Sequence, residues 1–406
     1  MSQVGHWAAA NLGAILAVYL EPDFDLVVIG GGPAGSAAGM RARQLGLRVA
    51  IIDKARFPRD KLCGGLVSGR SLGHLQRIFG LEPTAPMFKT ARAVRFDWQG
   101  EALSQFEAPH NLHFTMRADF DAWLLAQAQT AGCQVFTGQR SFDLDEGNAL
   151  IKLQDLVLSY RALIGADGVN SAVARHLFGR AFDPATIGFG LECEIARGPE
   201  HAEIPMQIDF RAVDWGYGWV FPKADSLTVG IAGLQAENAD FKARMAAYLQ
   251  AGGFDAGAAR IKGHFIPFGD FSRNPGRDNI LLAGDAAGLV DPMTGEGIAH
   301  AIDSGALAAE AVATALQQGA PARALAIYKG KLRPLHRELG KVNRLRGYAF
   351  QPGLATRFRD KLTNSEALQQ AFFDLLEGHM TYSDLERQFA RKALRLDRWL
   401  PGLFGR

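Results

Sequence analysis

Asp25-Leu-Val-Val-Ile-Gly30-Gly-Gly32-Pro33-Ala34-Gly35-Ser36 decides how this chain folds. Leu26 to Ile29 is apolar and mostly β-branched, as a buried strand requires, and it runs straight into Gly30-x-Gly32-x-x-Gly35. The next residues, Ser36-Ala-Ala-Gly-Met-Arg-Ala-Arg-Gln-Leu45, are rich in helix formers. Strand, glycines and helix in that order make a site for a dinucleotide pyrophosphate. Gly30 permits a tight turn, Gly32 lets backbone N–H groups approach the phosphates, and Gly35 lets the helix pack close to the sheet. Pro33 and Ala34 lie within the same turn. A second strand, Arg48-Val-Ala-Ile-Ile52, ends in Asp53, 23 residues after Gly30. That spacing suits a carboxylate holding a ribose hydroxyl.

The 406 residues, with 48% apolar side chains, provide ample core for two or three domains of a soluble globular protein. A net charge of +2 gives no global attraction to nucleic acid. Cys63, Cys133 and Cys193 are widely spaced, without a CxxC or His/Cys cluster. We therefore expect no metal centre and no disulfide framework, and a reducing, cytoplasmic setting. The apolar segment Trp7 to Leu20 is too short to span a bilayer and lacks a preceding Lys or Arg. It reads as an extension, with an interfacial helix at a membrane surface as the alternative.

Lys54 to Gly65 leaves the second strand as a loop, with basic residues at 54, 56, 59 and 61, then Cys63 and the pair Gly64-Gly65. Those basic residues suit phosphate or simply water. Cys63 is a reactive thiol or a small apolar filler. Residues 90–116 alternate like strands, and Arg117 onward reads as a helix with Asp119 as its N-cap. Ala162 to Gly165 is a strand leading into Ala166-Asp167-Gly168. Residues 182–275 read as a mostly antiparallel sheet interrupted by a helix from Phe241 to Leu249. Within it Trp215, Tyr217, Trp219 and Phe221 recur at period two, placing four aromatics on one strand face, as core or as pocket wall. A later strand ends at Gly284-Asp285, and Gly295-Glu-Gly297-Ile298 opens a long helix whose free N–H groups could face an electron-rich ring. A basic stretch from Lys329 to Arg346 is a solvated face or a phosphate entry site.

Together, Gly30–Gly35 with Asp53, Asp167-Gly168, and Gly284-Asp285 with Gly295–Gly297 resemble the FAD-binding pattern of para-hydroxybenzoate-hydroxylase-type flavoproteins. Phe57-Pro-Arg-Asp-Lys-Leu-Cys63-Gly64-Gly65, Arg117 and Tyr217-Gly-Trp219-Val-Phe221-Pro222 are similar to motifs of the geranylgeranyl reductase family. The resemblance implies an α/β fold: an FAD-binding, Rossmann-like βαβ domain, an inserted mostly antiparallel β-sheet substrate domain and a helical C-terminal region. The expected division is an extension at 1–22, FAD-binding parts at 23–88, 116–181 and 276–325, substrate-domain parts at 89–115 and 182–275, and the helical region at 326–406. It also implies that Gly30, Gly32, Pro33, Ala34, Gly35, Asp53 and Lys54 serve the dinucleotide, with Asp167, Gly168, Gly284 and Asp285. Gly64, Gly65 and Arg117 would contact the cofactor, and Gly295, Gly297 and Ile298 would face its isoalloxazine ring. Trp215, Tyr217, Trp219 and Phe221 would line an isoprenoid cavity. Cys63 and Tyr217 are the candidate catalytic residues.

The implied activity is reduction of C=C bonds in a polyprenyl chain, with NAD(P)H or a ferredoxin as transient electron donor. An unactivated alkene needs an apolar, dry and oriented site. An FAD-dependent monooxygenase or halogenase-like enzyme acting on an aromatic or lipid substrate is the rival on the same fold. Two departures bear on substrate identity: Asp214 stands where the family has proline, and Gly230-Ile-Ala232 replaces a GxG.

Overall fold

The structure, a computed structural model, describes residues 21–82, 84–201, 203–255, 260–269 and 271–388. The apolar segment from Trp7 to Leu20 lies outside them, as do the last residues of the expected helical region.

Phe24–Ile29 forms as expected and occupies the centre of a mainly parallel sheet. Its burial on both faces explains the unbroken apolar run. The strand order is Gly276–Arg277, Ile280–Leu282, Val157–Gly165, Phe24–Ile29, Val49–Asp53 and Gln134–Thr137. Pairing is parallel from Ile280–Leu282 through Gln134–Thr137. The helix Pro33–Gln44 packs against Arg117–Thr130 and Ile298–Gln317, covering the sheet with alanine-rich faces. The Arg117–Thr130 helix begins one residue after Met116, which occupies the N-cap position. Asp119 stands inside its first turn and is not the cap. A carboxylate there still complements the positive helix end.

A second sheet runs in the order Lys262–Ile266, Gly188–Ala196, Ser226–Leu234, Gly216–Pro222, Met206–Phe210, Lys89–Trp98, Glu101–Phe114 and Leu66–Val67. All pairs are antiparallel except Met206–Phe210 with Lys89–Trp98. Period-two alternation sorts its side chains. Leu191, Val220, Val229 and Ile231 face the helix Phe241–Ala251 through Phe241, Met245 and Leu249. Tyr217, Trp219 and Phe221 point the other way, into an apolar cluster with Phe96, Phe210 and Phe373. Phe373 comes from the C-terminal helix Glu366–Glu377 and stacks on Phe96 at 6.2 Å. This α/β architecture sets the site between two features: the glycine turn at the carboxyl end of the central strand, and the aromatic sheet face across from it.

Among the described residues no helix is long and apolar enough to cross a membrane.

Candidate functional site

A cavity of about 900 Å³ is lined from both sheets. At the nucleotide turn it is bordered by Gly30, Gly32, Pro33 and Ala34, with Asp53 and Lys54 from the second strand. Gly30 has φ +105°, and a Cβ there would overlap the Ala166 carbonyl of the neighbouring strand. Glycine is therefore obligatory for backbone contact between the strands. Gly35 does not line the cavity. A Cβ on it would strike the Gly30 carbonyl, so its role is to let helix and turn touch. Asp53 is buried and fixes the turn: Gly31 N–H donates to Oδ2 (2.7 Å) and Ala55 N–H to Oδ1 (2.8 Å). The Arg59 guanidinium stands beside Gly32, 3.2 Å from where a Cβ would be, and lines the same cavity.

Asp167 and Gly168 also line the cavity. Asp167 accepts from Ser171 Oγ (2.5 Å) and Ala172 N–H (2.6 Å), so it shapes its own loop and tops the helix Ala172–Phe178. Asp285 lines the cavity, whereas Gly284 lies behind it, donating its N–H to Ser304 Oγ (2.9 Å) and packing near Ala34 and Ala301.

The loop 54–65 lines the cavity and is anchored by a residue that sequence reading passes over. Asp121 is fully buried. Arg117 donates to it twice, from Nε (2.7 Å) and Nη2 (2.8 Å), and Arg59 reaches it at 3.1 Å. The i,i+4 spacing of Arg117 and Asp121 on a helix is the signal that could have found it. Arg117 lines the cavity, as do Lys61, Cys63, Gly64 and Gly65. Burial pushes the Lys61 ammonium below the usual lysine range, against the pull of Asp285. Cys63 is half-buried, its Sγ accepting from the Gly65 N–H at 3.4 Å. Gly64 packs where a Cβ would come within 2.8 Å of the Phe221 ring, so loop and aromatic wall are in direct contact.

Tyr217, Trp219 and Phe221 line the cavity, and Trp215 does not. The expected four-residue stripe is a three-residue one. The strand begins at Gly216, and Trp215 sits before it with φ +50°, its ring against Phe350 and the Arg346 guanidinium. The left-handed residue breaks the alternation that would have kept Trp215 on the same face. Trp219 is 5% exposed, and its Nε1 is buried without a hydrogen-bond partner among the described residues. Gly230 is explained by this ring: a Cβ there would stand 2.6 Å from Trp219 Cε2. Ala232, in place of the family's second glycine, pairs with Tyr217 and also lines the cavity.

Gly295, Gly297 and Ile298 complete the lining at the start of the Ile298–Gln317 helix, where Gly297 is the N-cap. Buried Asp291 shapes this loop by accepting from Met293 N–H (2.8 Å) and Thr294 N–H (2.9 Å). Glu296 accepts from Ser68 Oγ and from Arg70 Nη1 (3.3 Å), and burial pushes its carboxyl up to about 7. Tyr217 Oη donates to the Thr294 carbonyl at 2.9 Å and ties the aromatic wall to the loop. Tyr217→Phe is expected to cost about 1 kcal/mol, readable as a small fall in melting temperature. A change of several kcal/mol would show that the bond organises the whole loop.

The basic stretch stands apart from the cavity. Lys331 is bonded to Glu310 (2.8 Å), Lys341 to Ser383 (2.7 Å), and Arg346 to the Phe268 carbonyl (2.9 Å), while Arg333, Arg337 and Arg344 are exposed. None lines the cavity. The C-terminal helix, by contrast, contributes Phe372 and Leu376 to it.

Known proteins resemble this chain in sequence and in fold. A family model described as FAD dependent oxidoreductase fits residues 25–144. A geranylgeranyl diphosphate reductase from Rhodobacter capsulatus is 31% identical over 316 residues, covering 74% of this chain and 77% of the relative. A digeranylgeranylglycerophospholipid reductase from Methanopyrus kandleri is 30% identical over 318 residues, covering 73% and 78%. The crystal structure of a geranylgeranyl bacteriochlorophyll reductase-like protein from Thermoplasma acidophilum superposes with a TM-score of 0.70 at 20% identity. It covers 90% of this chain and 98% of that one, and so shows the same fold. At this identity and coverage, the chain belongs to the geranylgeranyl reductase family of FAD-dependent oxidoreductases.

Proposed function

We propose that this protein reduces C=C bonds in a polyprenyl chain, with FAD as its resident cofactor. One observation carries the reading: Tyr217, Trp219 and Phe221 line the same cavity as the glycine turn, Cys63 and the Ile298 helix start. The donor set fits a flavin dinucleotide. The turn presents backbone and nothing larger than small side chains to the cavity, with Arg59 beside it for the pyrophosphate. Gly30, Gly32, Pro33 and Ala34 would hold that group, Gly35 would position them, and Asp53 and Lys54 would meet the adenosine end. Asp167, Gly168, Gly284 and Asp285 would frame the middle of the cofactor. Gly64, Gly65, Arg117, Gly295, Gly297 and Ile298 would surround its ring.

Bound FAD supplies two-electron chemistry that no side chain offers. The protein's own residues supply shape and dryness. The aromatic wall presents apolar surface to an isoprenoid chain and excludes water, and Phe372 and Leu376 extend that surface. Cys63 and Tyr217 stand beside the reacting region. The sequence has a single glycine fingerprint of this kind, so NAD(P)H or a ferredoxin-type donor would dock only transiently. Diphosphate and glycerophospholipid head groups occur in the names of the relatives, and a polyprenyl chain is the feature they share.

The test is to reduce the purified protein anaerobically, add geranylgeranyl substrates and weigh the products. Gains of two hydrogens with flavin reoxidation are expected. Reoxidation without mass gain would sink the reductase reading. Oxygen uptake with gain of one oxygen in an aromatic substrate would replace it with the monooxygenase.

A further inference from the structure

Glu192 is a buried acid in the cavity wall. It lies on the strand Gly188–Ala196 opposite Gly230, which lies opposite Trp219. Directly paired residues project to one face, so Glu192 and Trp219 flank a glycine gap over which the indole leans. Both line the cavity, with Cys63 and Gly64 against them. Glu192 is 6% exposed. Its Oε1 accepts the Cys63 N–H at 2.7 Å, while Oε2 is buried with no hydrogen-bond partner among the described residues. A carboxylate with one bare buried oxygen is costly, and a protonated carboxyl is the stable form there. Burial pushes the group up to about 7, against the Cys63 N–H and Lys223. Glu194 on its own strand raises it further, and Lys61 from the loop lowers it. On the adjacent strand, burial lowers the basicity of the neighbouring His264, and Lys262 is paired with Asp60. Of the two candidates named from sequence, Tyr217 has its hydroxyl proton committed to the Thr294 carbonyl, while the Cys63 sulfur accepts from the Gly65 N–H.

Building on the reductase reading, we propose that Glu192 donates the proton that completes alkene reduction. The Oε2–H bond breaks, and the alkene π pair forms the new C–H bond with that proton. The other alkene carbon takes the hydride supplied by the reductant, a dihydroflavin, which is thereby oxidised by two electrons. The carboxylate left behind is held by the Cys63 N–H and regains a proton from water. A neutral acid in a dry wall suits this role, because an unactivated alkene accepts hydride only as a proton arrives.

The test uses the FAD-loaded protein and Glu192→Gln, which keeps an acceptor for Cys63. The variant is expected to bind flavin and polyprenyl substrate and to be reduced by dithionite as the wild type is. Alkene-driven reoxidation of its flavin should fall about 100-fold or more. Two readouts do not depend on turnover. Difference infrared spectra at about pH 6 should show a carboxylic acid band in the wild type that the variant lacks. The unfolded chain releases this proton near the usual glutamate value, and the folded chain holds it to about pH 7. The folded state therefore binds more protons in that window, and wild-type stability falls as pH rises through it. The melting-temperature difference in favour of the Glu192→Gln variant should accordingly widen from about pH 5 to about pH 8. Wild-type reoxidation rates in the variant, or a missing acid band with a constant difference, would overturn the role of Glu192 alone. A wild type that adds no hydrogen to any polyprenyl substrate would overturn the reductase reading and this role with it.

Discussion

Gly35→Val is expected to yield a protein that holds no flavin and melts far below the wild type. The Cβ would strike the Gly30 carbonyl and come within 3.2 Å of Val28 Cγ1. Neither neighbour can yield. The Gly30 N–H is bonded to the Ile52 carbonyl at 2.7 Å, and the Ala166 N–H to the Ile29 carbonyl at 2.7 Å, so the turn is clamped between two strands. The helix Pro33–Gln44 would have to lift from the sheet, carrying with it contacts to Ile298–Gln317. Forced overpacking of this kind costs about 1–3 kcal/mol where neighbours relax and more where they are backbone. Because native stability is only about 5–15 kcal/mol, the expected loss is a large share of it. Flavin absorbance of the purified variant and its melting curve check the result. Full flavin content with an unchanged melting temperature would show that the helix can shift without penalty.

Asp121→Ala should be the most damaging single change among the charged side chains. It removes the shared acceptor of Arg117 and Arg59 and leaves the Arg117 guanidinium, 10% exposed, without a counter-charge. Breaking a buried pair from one side costs about 3–5 kcal/mol, because the remaining ion stays desolvated. The loop 54–65 loses its tether at the same time, so flavin should dissociate more readily than stability alone predicts. The double variant Asp121→Leu with Arg117→Leu should recover part of the lost stability, since no orphan charge remains. Chemical denaturation of the three proteins decides it. A single variant within about 1 kcal/mol of wild type would place the pair among ordinary surface bridges.

The nucleotide turn was legible because its chemistry constrains covalent structure: where two backbones must touch, only glycine serves, and Gly30 and Gly35 announce that need. The aromatic wall was legible in part. Tyr217, Trp219 and Phe221 follow strand alternation, but Trp215 does not, since nothing in an aromatic residue marks the left-handed backbone that ends the strand there. Asp119 suits a helix cap by residue type, while the helix begins two residues earlier, at Arg117. Glu192 stayed hidden because its partners, Cys63 and Trp219, are set by tertiary packing. Asp121 was legible in part: its spacing of four from Arg117 marks a helical pair, while Arg59 joins it only through packing. Phe372 and Leu376 belong to the same class: an apolar stripe on a late helix does not say which wall it completes.

Phe24–Ile29 takes its neighbour Val157–Gly165 from far along the chain, and Ile280–Leu282 joins beyond that. A ribosome therefore releases the glycine turn long before the strand and the Ile298 helix that complete the cavity. Phe24–Ile29 and Val49–Asp53 can pair early, but their sheet stays incomplete while the aromatic sheet is made, and sequence-distant pairing of this kind folds slowly. Flavin can be captured firmly only once the Ile298–Gln317 helix has been made. Cofactor supply should then govern how much of the newly made chain survives, rather than merely how much of it is active.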